Sequence, residues 1–339
     1  MIEIDGSYLE DGGQILRTAL ALSATSKKPC RVFNIRKGRE KPGLEPQHLL
    51  ELQTLAELND AKLEGDFLGS EEILFYPAEI KNKDFHIKIE TAASIVSVLQ
   101  TLIPSALFVP QLLKITFDGG TTDTFFSPTI DYFHYVFLRI LEKFGVKIEI
   151  NVLKKGYYPG GGAKVEIKIS PSKLKNINLI ERGVFKKILM ISEASNVLKE
   201  KMVAEHQAAG AREILGKLKL PIEEKIKYYD TFCPGSQICL IAEFENTIIG
   251  TDSLGKLGKR AEDVGKEAAL ELLKEEKSRA CLDKYSIDQI LSYLALSPGK
   301  SQITVSEITN YYKANIWVIE KFLEGKFEIK DNLIAWNPL

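Results

Sequence analysis

The order of apolar patterns in residues 1–78 recurs in residues 84–170, and this repetition restricts the architecture more than any single motif. The first stretch has strand patterns at Ile2–Ile4, Arg31–Ile35, Ala61–Leu63 and Glu72–Tyr76, with helix patterns at Gly13–Ala24 and Pro46–Leu58. The second reads as strand Phe85–Glu90, helix Ala92–Phe108, strand Leu113–Phe117, and helix Ile130–Phe144 closed by Gly145. Strands Val146–Val152 and Ala163–Ile169 complete it. A third copy is split. Strand Asn176–Ile180 is separated from helix Ser286–Leu296, strand Gln302–Val305, helix Tyr312–Leu323 and strands Phe327–Ile329 and Leu333–Trp336.

Between the two parts, residues 185–277 carry their own pattern: strand Lys187–Ile191, helix Val197–Leu215, strand Glu224–Tyr228, a hairpin-like pair around Glu245-Asn246, and helix Glu262–Glu275. The expected fold is therefore α+β, with three repeated units and a smaller α+β domain inserted into the third. Residues 1–184 and 278–339 would form the large domain and residues 185–277 the insertion.

A formal charge of −1 gives no bulk basic field, so any nucleic-acid partner would need a local patch. Cys30, Cys233, Cys239 and Cys281 have no metal-ligand spacing and read as small buried hydrophobes. The four histidines are not spaced to bind zinc, and no P-loop motif occurs. No signal peptide is read at the start, and no apolar run approaches the roughly 20 residues of a membrane span. A cytoplasmic enzyme is the expectation.

The connections between elements carry the candidate chemistry. Glu10, Gln14 and Arg17 are spaced four and three apart around Gly12-Gly13, so a helix starting there would group a carboxylate, an amide and a guanidinium at its mouth. Such a group suits a phosphate with its metal ion, or is an ordinary charged helix start. Arg36, Lys37, Arg39 and Lys41 crowd a loop kinked by Gly38, Pro42 and Gly43, as in a phosphate clamp. Asp118-Gly119-Gly120-Thr121 leads through Ser127-Pro128 to Asp131, which could hold a ligand or complement a helix dipole. Gly160-Gly161-Gly162 reads as a hairpin or a close backbone approach. Asp288 and Gln289 open an apolar helix, and Tyr285 could stack on a base or belong to a cap.

In order, the chain contains Asp5-Gly6-Ser7, Gly12-Gly13-Gln14-Ile15-Leu16-Arg17, Arg36-Lys37-Gly38-Arg39, Lys41-Pro42-Gly43-Leu44 and Pro46-Gln47-His48. Thr91-Ala92, Gly119-Gly120-Thr121, Gly156-Tyr157-Tyr158-Pro159, Glu181-Arg182-Gly183, Ser253-Leu254-Gly255-Lys256 and Asp288-Gln289 follow. This succession resembles the RNA 3′-terminal phosphate cyclase family of archaea and bacteria nearly end to end. The resemblance implies three βαβαββ units, as in enolpyruvyl transferases, with a domain inserted in the third.

It also implies an ATP-dependent enzyme of the ligase class. AMP would be carried on the enzyme, passed to an RNA 3′-phosphate as RNA-(3′)pp(5′)A, and released as a 2′,3′-cyclic phosphodiester forms. By the same resemblance, Glu10 would hold Mg²⁺ or Mn²⁺. Gln14, Arg17, Arg36, Arg39 and Lys41 would hold phosphates, with Glu10, Arg17 and Arg39 in the catalytic set. Gln100, Pro128, Tyr285, Ser286, Ile287, Asp288 and Gln289 would hold the nucleotide, with Pro128 and Tyr285 flanking adenine.

Two departures stand out. Asp11 replaces a usual third glycine. Alignment of Ile316–Leu323 with the family helix puts Tyr311 at the histidine nucleophile's position. The AMP acceptor could then be Tyr311 after activation, Lys313, or a histidine from elsewhere such as His48. Alternatively, the chain could be a noncatalytic RNA- or ribosome-assembly factor on the cyclase scaffold. Oligomeric state is left open by the sequence.

Overall fold

The computed structural model describes residues 1–9, 12–81 and 84–339. The chain is mixed α+β, and among the described residues its strands form four separate four-stranded mixed sheets. The first sheet runs Ile2–Asp5, Cys30–Phe33, Ile73–Tyr76, Lys62–Glu64 in spatial order. Its first pair is parallel, in register Ile2 to Cys30, and the remaining pairs are antiparallel.

The same order and directions recur in Phe85–Ser94, Leu113–Thr121, Lys164–Ile169, Ile148–Lys154. They recur again in Asn178–Leu179, Ser301–Thr304, Leu333–Pro338, Gly325–Lys330. Parallel pairs need a crossover, and each crossover carries a helix: Gln14–Ser26, Ile95–Ala106 and Ile287–Leu296. These helices bury apolar faces in one continuous core that includes Ile15, Leu99 and Leu291.

The fourth sheet, Ile222–Tyr229, Phe185–Ser195, Ser236–Phe244, Ile248–Leu254, packs on helices Val203–Leu215 and Ala261–Lys277. It has its own apolar cluster around Met190, Leu240 and Leu272. Glycine lets the two helices approach closely: a Cβ on Gly210 would lie 2.0 Å from the Glu262 carbonyl oxygen, and one on Gly265 1.9 Å from that of Gln207.

Several boundaries differ from the periodicity. The helix expected from Ala92 begins at Ile95, because Ser94 Oγ accepts the Ser97 N–H at 3.2 Å and caps it, leaving residues 92–94 in the strand. The helix expected from Val197 is broken. Asn196–Leu198 form a short 3₁₀ turn, Met202 is left-handed at φ 46°, and the helix starts at Val203. The single helix expected over Ile130–Phe144 contains a π turn at Phe133–Phe137. Cys30, Cys239 and Cys281 are buried, but Cys233 is only half-buried. Its Sγ accepts the Gly160 N–H at 3.3 Å and donates to the Tyr157 carbonyl at 3.1 Å. No described helix is long and apolar enough to cross a membrane.

Candidate active site

Helices Gln14–Ser26 and Pro46–Leu58 meet at an ion pair between half-buried Arg17 and buried Glu51. Arg17 Nε donates to Glu51 Oε2 at 2.9 Å, and Arg17 Nη1 donates to Gln14 Oε1 at 3.2 Å, as the three-residue spacing allows. Burial raises the Glu51 carboxyl above its ordinary range, and the Arg17 charge opposes that rise. Gln47 Nε2 donates to Glu51 Oε1 at 2.8 Å, and Gln47 Oε1 accepts the Ser94 N–H at 2.6 Å. Ser94 Oγ lies 2.7 Å from Ser127 Oγ, next to Pro128. A continuous polar chain thus leads from Arg17 to Pro128.

His48 is held beside this chain. Pro46 opens its helix, where a missing N–H is harmless, and His48 Nδ1 accepts the Glu45 N–H at 3.2 Å in a capping box. Its other ring nitrogen abuts Gly13, where an added Cβ would lie 2.1 Å from Nε2. Burial, with the positive charges of Arg17 and Arg36, lowers the His48 pKa to about 3, so the ring is neutral.

Gln14, Arg17, Gln100, Asp288 and Gln289 line one narrow cavity of about 30 Å³. Gln100 Nε2 and Gln289 Oε1 are buried there without a hydrogen-bond partner, the state expected of groups that await a ligand. Pro104 lacks the N–H that would have bonded the Gln100 carbonyl within the helix. Thr18 Oγ1 donates to Asn315 Oδ1 at 2.9 Å and Asn315 Nδ2 to the Asp288 carbonyl at 3.3 Å. These bonds tie three helices around the cavity.

A second cavity, of about 320 Å³, is lined by Phe126, Ser127, Pro128, Tyr132, Asp252 and Tyr285. Tyr132 meets the Tyr285 ring edge-on, with centroids 6.3 Å apart at 84°. Buried Asp283 organises the segment that follows: Oδ1 accepts the N–H groups of Tyr285 at 3.0 Å and Ser286 at 2.9 Å, and the Tyr132 hydroxyl at 2.5 Å. Asp283 Oδ2 accepts the Gly250 N–H at 3.0 Å. Asp252 Oδ2 accepts the Thr129 N–H at 2.7 Å, and burial raises the Asp252 carboxyl to about 6. Ser286 and Ile287 are buried, so their side chains support the Tyr285–Gln289 run from beneath.

The sequence-derived candidates thus divide. Gln14, Arg17, Gln100, Asp288 and Gln289 come together, and Pro128 and Tyr285 share the second cavity. Arg36 turns inward, bonding the Gly43 carbonyl at 3.0 Å and Glu45 Oε1 at 2.5 Å, so it shapes the basic loop from inside. Arg39 and Lys41 are exposed and line neither cavity. Tyr311 is 43% exposed in the first turn of helix Asn310–Phe322, and it lines neither cavity. Lys313 is exposed two residues on. Glu10 lies outside the described residues. Sequence reasoning missed Glu51 and Asp252 as parts of the site. The Ser253–Lys256 motif was the one signal pointing toward Asp252.

A family model described as RNA 3′-terminal phosphate cyclase matches residues 8–329. An RNA 3′-terminal phosphate cyclase of Pyrococcus furiosus is 44% identical over 331 residues, covering 97% of this chain and 95% of the relative. One from Pyrobaculum aerophilum is 44% identical over 329 residues, covering 96% and 94%. Among solved structures, the enolpyruvyl transferase NikO from Streptomyces tendae aligns over 99% of this chain and 81% of its own, at 8% identity. Its TM-score of 0.30 is too low to bear on the fold. From the family match and these relatives, the chain belongs to the RNA 3′-terminal phosphate cyclase family, a family of enzymes.

Proposed function

We propose that this protein converts an RNA 3′-terminal phosphate to a 2′,3′-cyclic phosphodiester at the expense of ATP. In the first step an enzyme nucleophile attacks the α-phosphorus and pyrophosphate leaves. The AMP then passes to the RNA 3′-phosphate, giving RNA-(3′)pp(5′)A. The neighbouring 2′-hydroxyl attacks the 3′-phosphorus, and AMP leaves. The observation that carries this reading is the polar chain from Arg17 through Glu51, Gln47 and Ser94 to Ser127. It links a guanidinium that would meet phosphates to the cavity lined by Pro128 and Tyr285, which would take the base. Gln100, Asp288 and Gln289, which line a cavity with Arg17, would bind the nucleotide.

Arg17 and Arg39, with Gln14 and Lys41, would meet charge building on the transferring phosphates. Arg36 would act through the loop it braces. Among the described residues, no group of three or more His, Cys, Asp or Glu side chains is placed to hold a metal ion. A Mg²⁺ or Mn²⁺ ion would therefore depend on Glu10 and on substrate phosphates, the usual way Mg²⁺ is held, and it would neutralise phosphate charge. Tyr311, at the position of the family nucleophile, would accept AMP after activation, with Lys313 and His48 as the other candidate acceptors.

The same reading takes residues 1–184 and 278–339 as three βαβαββ units and residues 185–277 as a domain inserted in the third. The shared strand order of three sheets and the separate apolar cluster of residues 188–272 support it. A cytoplasmic setting belongs to it as well. The departure at Tyr311 favours a second reading, a noncatalytic RNA- or ribosome-assembly factor. Incubation with α-labelled ATP, Mg²⁺ or Mn²⁺ and a 3′-phosphorylated oligoribonucleotide decides between the two. Cyclic ends and protein-bound AMP support the first. RNA binding without label transfer supports the second.

A further inference from the structure

Pro128 and Tyr285 line one cavity from segments remote in sequence, so their separation depends on what holds each segment. Both segments are tied to the same strand, Ile248–Leu254, which belongs to residues 185–277. On one side, Asp252 Oδ2 accepts the N–H of Thr129, the residue after Pro128, at 2.7 Å. On the other, the Gly250 N–H donates to Asp283 Oδ2 at 3.0 Å, while Asp283 Oδ1 accepts the Tyr285 N–H at 3.0 Å. The Tyr132 hydroxyl donates to Asp283 Oδ1 at 2.5 Å and closes the ring of bonds on the Thr129 side. Glycine at 250 permits this approach, because a Cβ there would lie 2.5 Å from Val136 Cγ2. Thr247 Oγ1 adds a third tie, donating to the Cys281 carbonyl at 2.7 Å.

We propose that strand Ile248–Leu254 gauges the base cavity, with Asp252 as a positioning residue for Pro128 and Asp283 as one for Tyr285. Residues 185–277 then contribute to nucleotide binding without supplying a stacking face. This rests on the nucleotide site proposed above. Strand residues two apart keep a fixed spacing of about 6.6 Å. Here the strand is itself held by its antiparallel neighbour, with Gly250 opposite Ile241 and Asp252 opposite Cys239, both buried. The two anchors therefore cannot drift relative to each other. Asp283 is fully buried and does not line the cavity, so it acts through the segment it holds. Loops that carry stacking faces lose freedom when a ligand orders them, and fixing them beforehand removes that cost from binding.

The test measures equilibrium binding of ATP and of base-free ribose 5′-triphosphate to the full chain. Asp252→Ala removes the acceptor for the Thr129 N–H. Asp283→Asn keeps an oxygen for the Tyr285 N–H and turns an amide toward Gly250. Each should weaken ATP binding about tenfold, the scale of one lost hydrogen bond, and leave ribose 5′-triphosphate unchanged. Asp252→Asn keeps an acceptor for Thr129 and should bind ATP as the wild type does. Because one strand gauges both walls, Asp252→Ala/Asp283→Asn should lose little more than either single variant. Four results would overturn the proposal: no loss of ATP binding in Asp252→Ala, an equal loss there for ATP and ribose 5′-triphosphate, Asp252→Asn as weak as Asp252→Ala, or fully additive losses in the double variant. In all four the wild type still prefers ATP to ribose 5′-triphosphate, and the nucleotide-site reading stands. A wild type that binds ATP no more tightly than ribose 5′-triphosphate would overturn that reading, and this proposal with it.

Discussion

Arg17 Nε lies 2.9 Å from Glu51 Oε2, and the Glu51 side chain is 1% exposed. The guanidinium is thus both a candidate phosphate ligand and the only described cation bonded to that buried carboxylate. Arg17→Ala would strand the carboxylate, a change of about 3 kcal/mol in typical buried pairs. Chemical denaturation should register this loss. Arg17→Ala/Glu51→Gln should recover most of the stability while label transfer from ATP stays impaired. Recovery of both would remove Arg17 from the chemistry.

His48 makes stability depend on pH. Its folded-state pKa, about 3, lies below the ordinary 6.5, so the folded state favours the neutral ring. Its contribution is complete above about pH 6.5 and is lost as pH falls toward 3. The difference between wild type and His48→Gln should therefore change by on the order of 4 kcal/mol over that range. Urea denaturation at several pH values checks it, and a difference constant with pH would contradict it.

Gly13 tests the packing of the first helix start on His48. A Cβ there would lie 2.1 Å from Nε2, so Gly13→Ala must displace the imidazole or the backbone. A loss of about 1–3 kcal/mol is expected from such overpacking. Gly13→Ala/His48→Ala should restore part of it in thermal unfolding.

Lys155 joins residues 185–277 to the rest of the chain. It is 2% exposed, with Asp131 at 2.5 Å, Glu193 at 2.7 Å and Asp123 at 3.5 Å. Burial raises the Asp131 carboxyl to about 7 even beside this cation. Lys155→Met leaves the carboxylates unbalanced and should destabilise by about 3–5 kcal/mol at neutral pH. Protonation relieves that repulsion, so the deficit should shrink at pH 5. Denaturation of both proteins at the two pH values measures it.

Tyr311 can be examined as acceptor directly. Tyr311→Phe should abolish AMP bound to the protein, and Tyr311→His should retain it. Mass mapping of the labelled peptide reads both. An adduct that persists in Tyr311→Phe would move the acceptor to Lys313 or another side chain.

Much of this molecule is legible from its residues in order. Pro46 at a helix start and Gly145 in the left-handed region at φ 84° after a helix end both mark boundaries through local stereochemistry. Gln14, Arg17, Asp288 and Gln289 from the motifs, and Gln100 from the family resemblance, do line one cavity. The break before Val203 was not legible, since the apolar pattern continues through residues that leave the helix at Met202. The inward turn of Arg36 was also hidden, because a cationic loop looks alike whether its charges face water or its own carbonyls.

The linear chain by itself determined the periods, the turns and the chemical kinds of group at each connection, because these depend on dihedral preferences and on neighbours within a few residues. Tertiary structure alone decided which charges lose water together. Glu51 against Arg17, Lys155 among three carboxylates, and Asp252 beside Pro128 and Tyr285 all join segments remote in sequence. Coulombic pairing and desolvation depend on distance through space, and no local pattern encodes that distance.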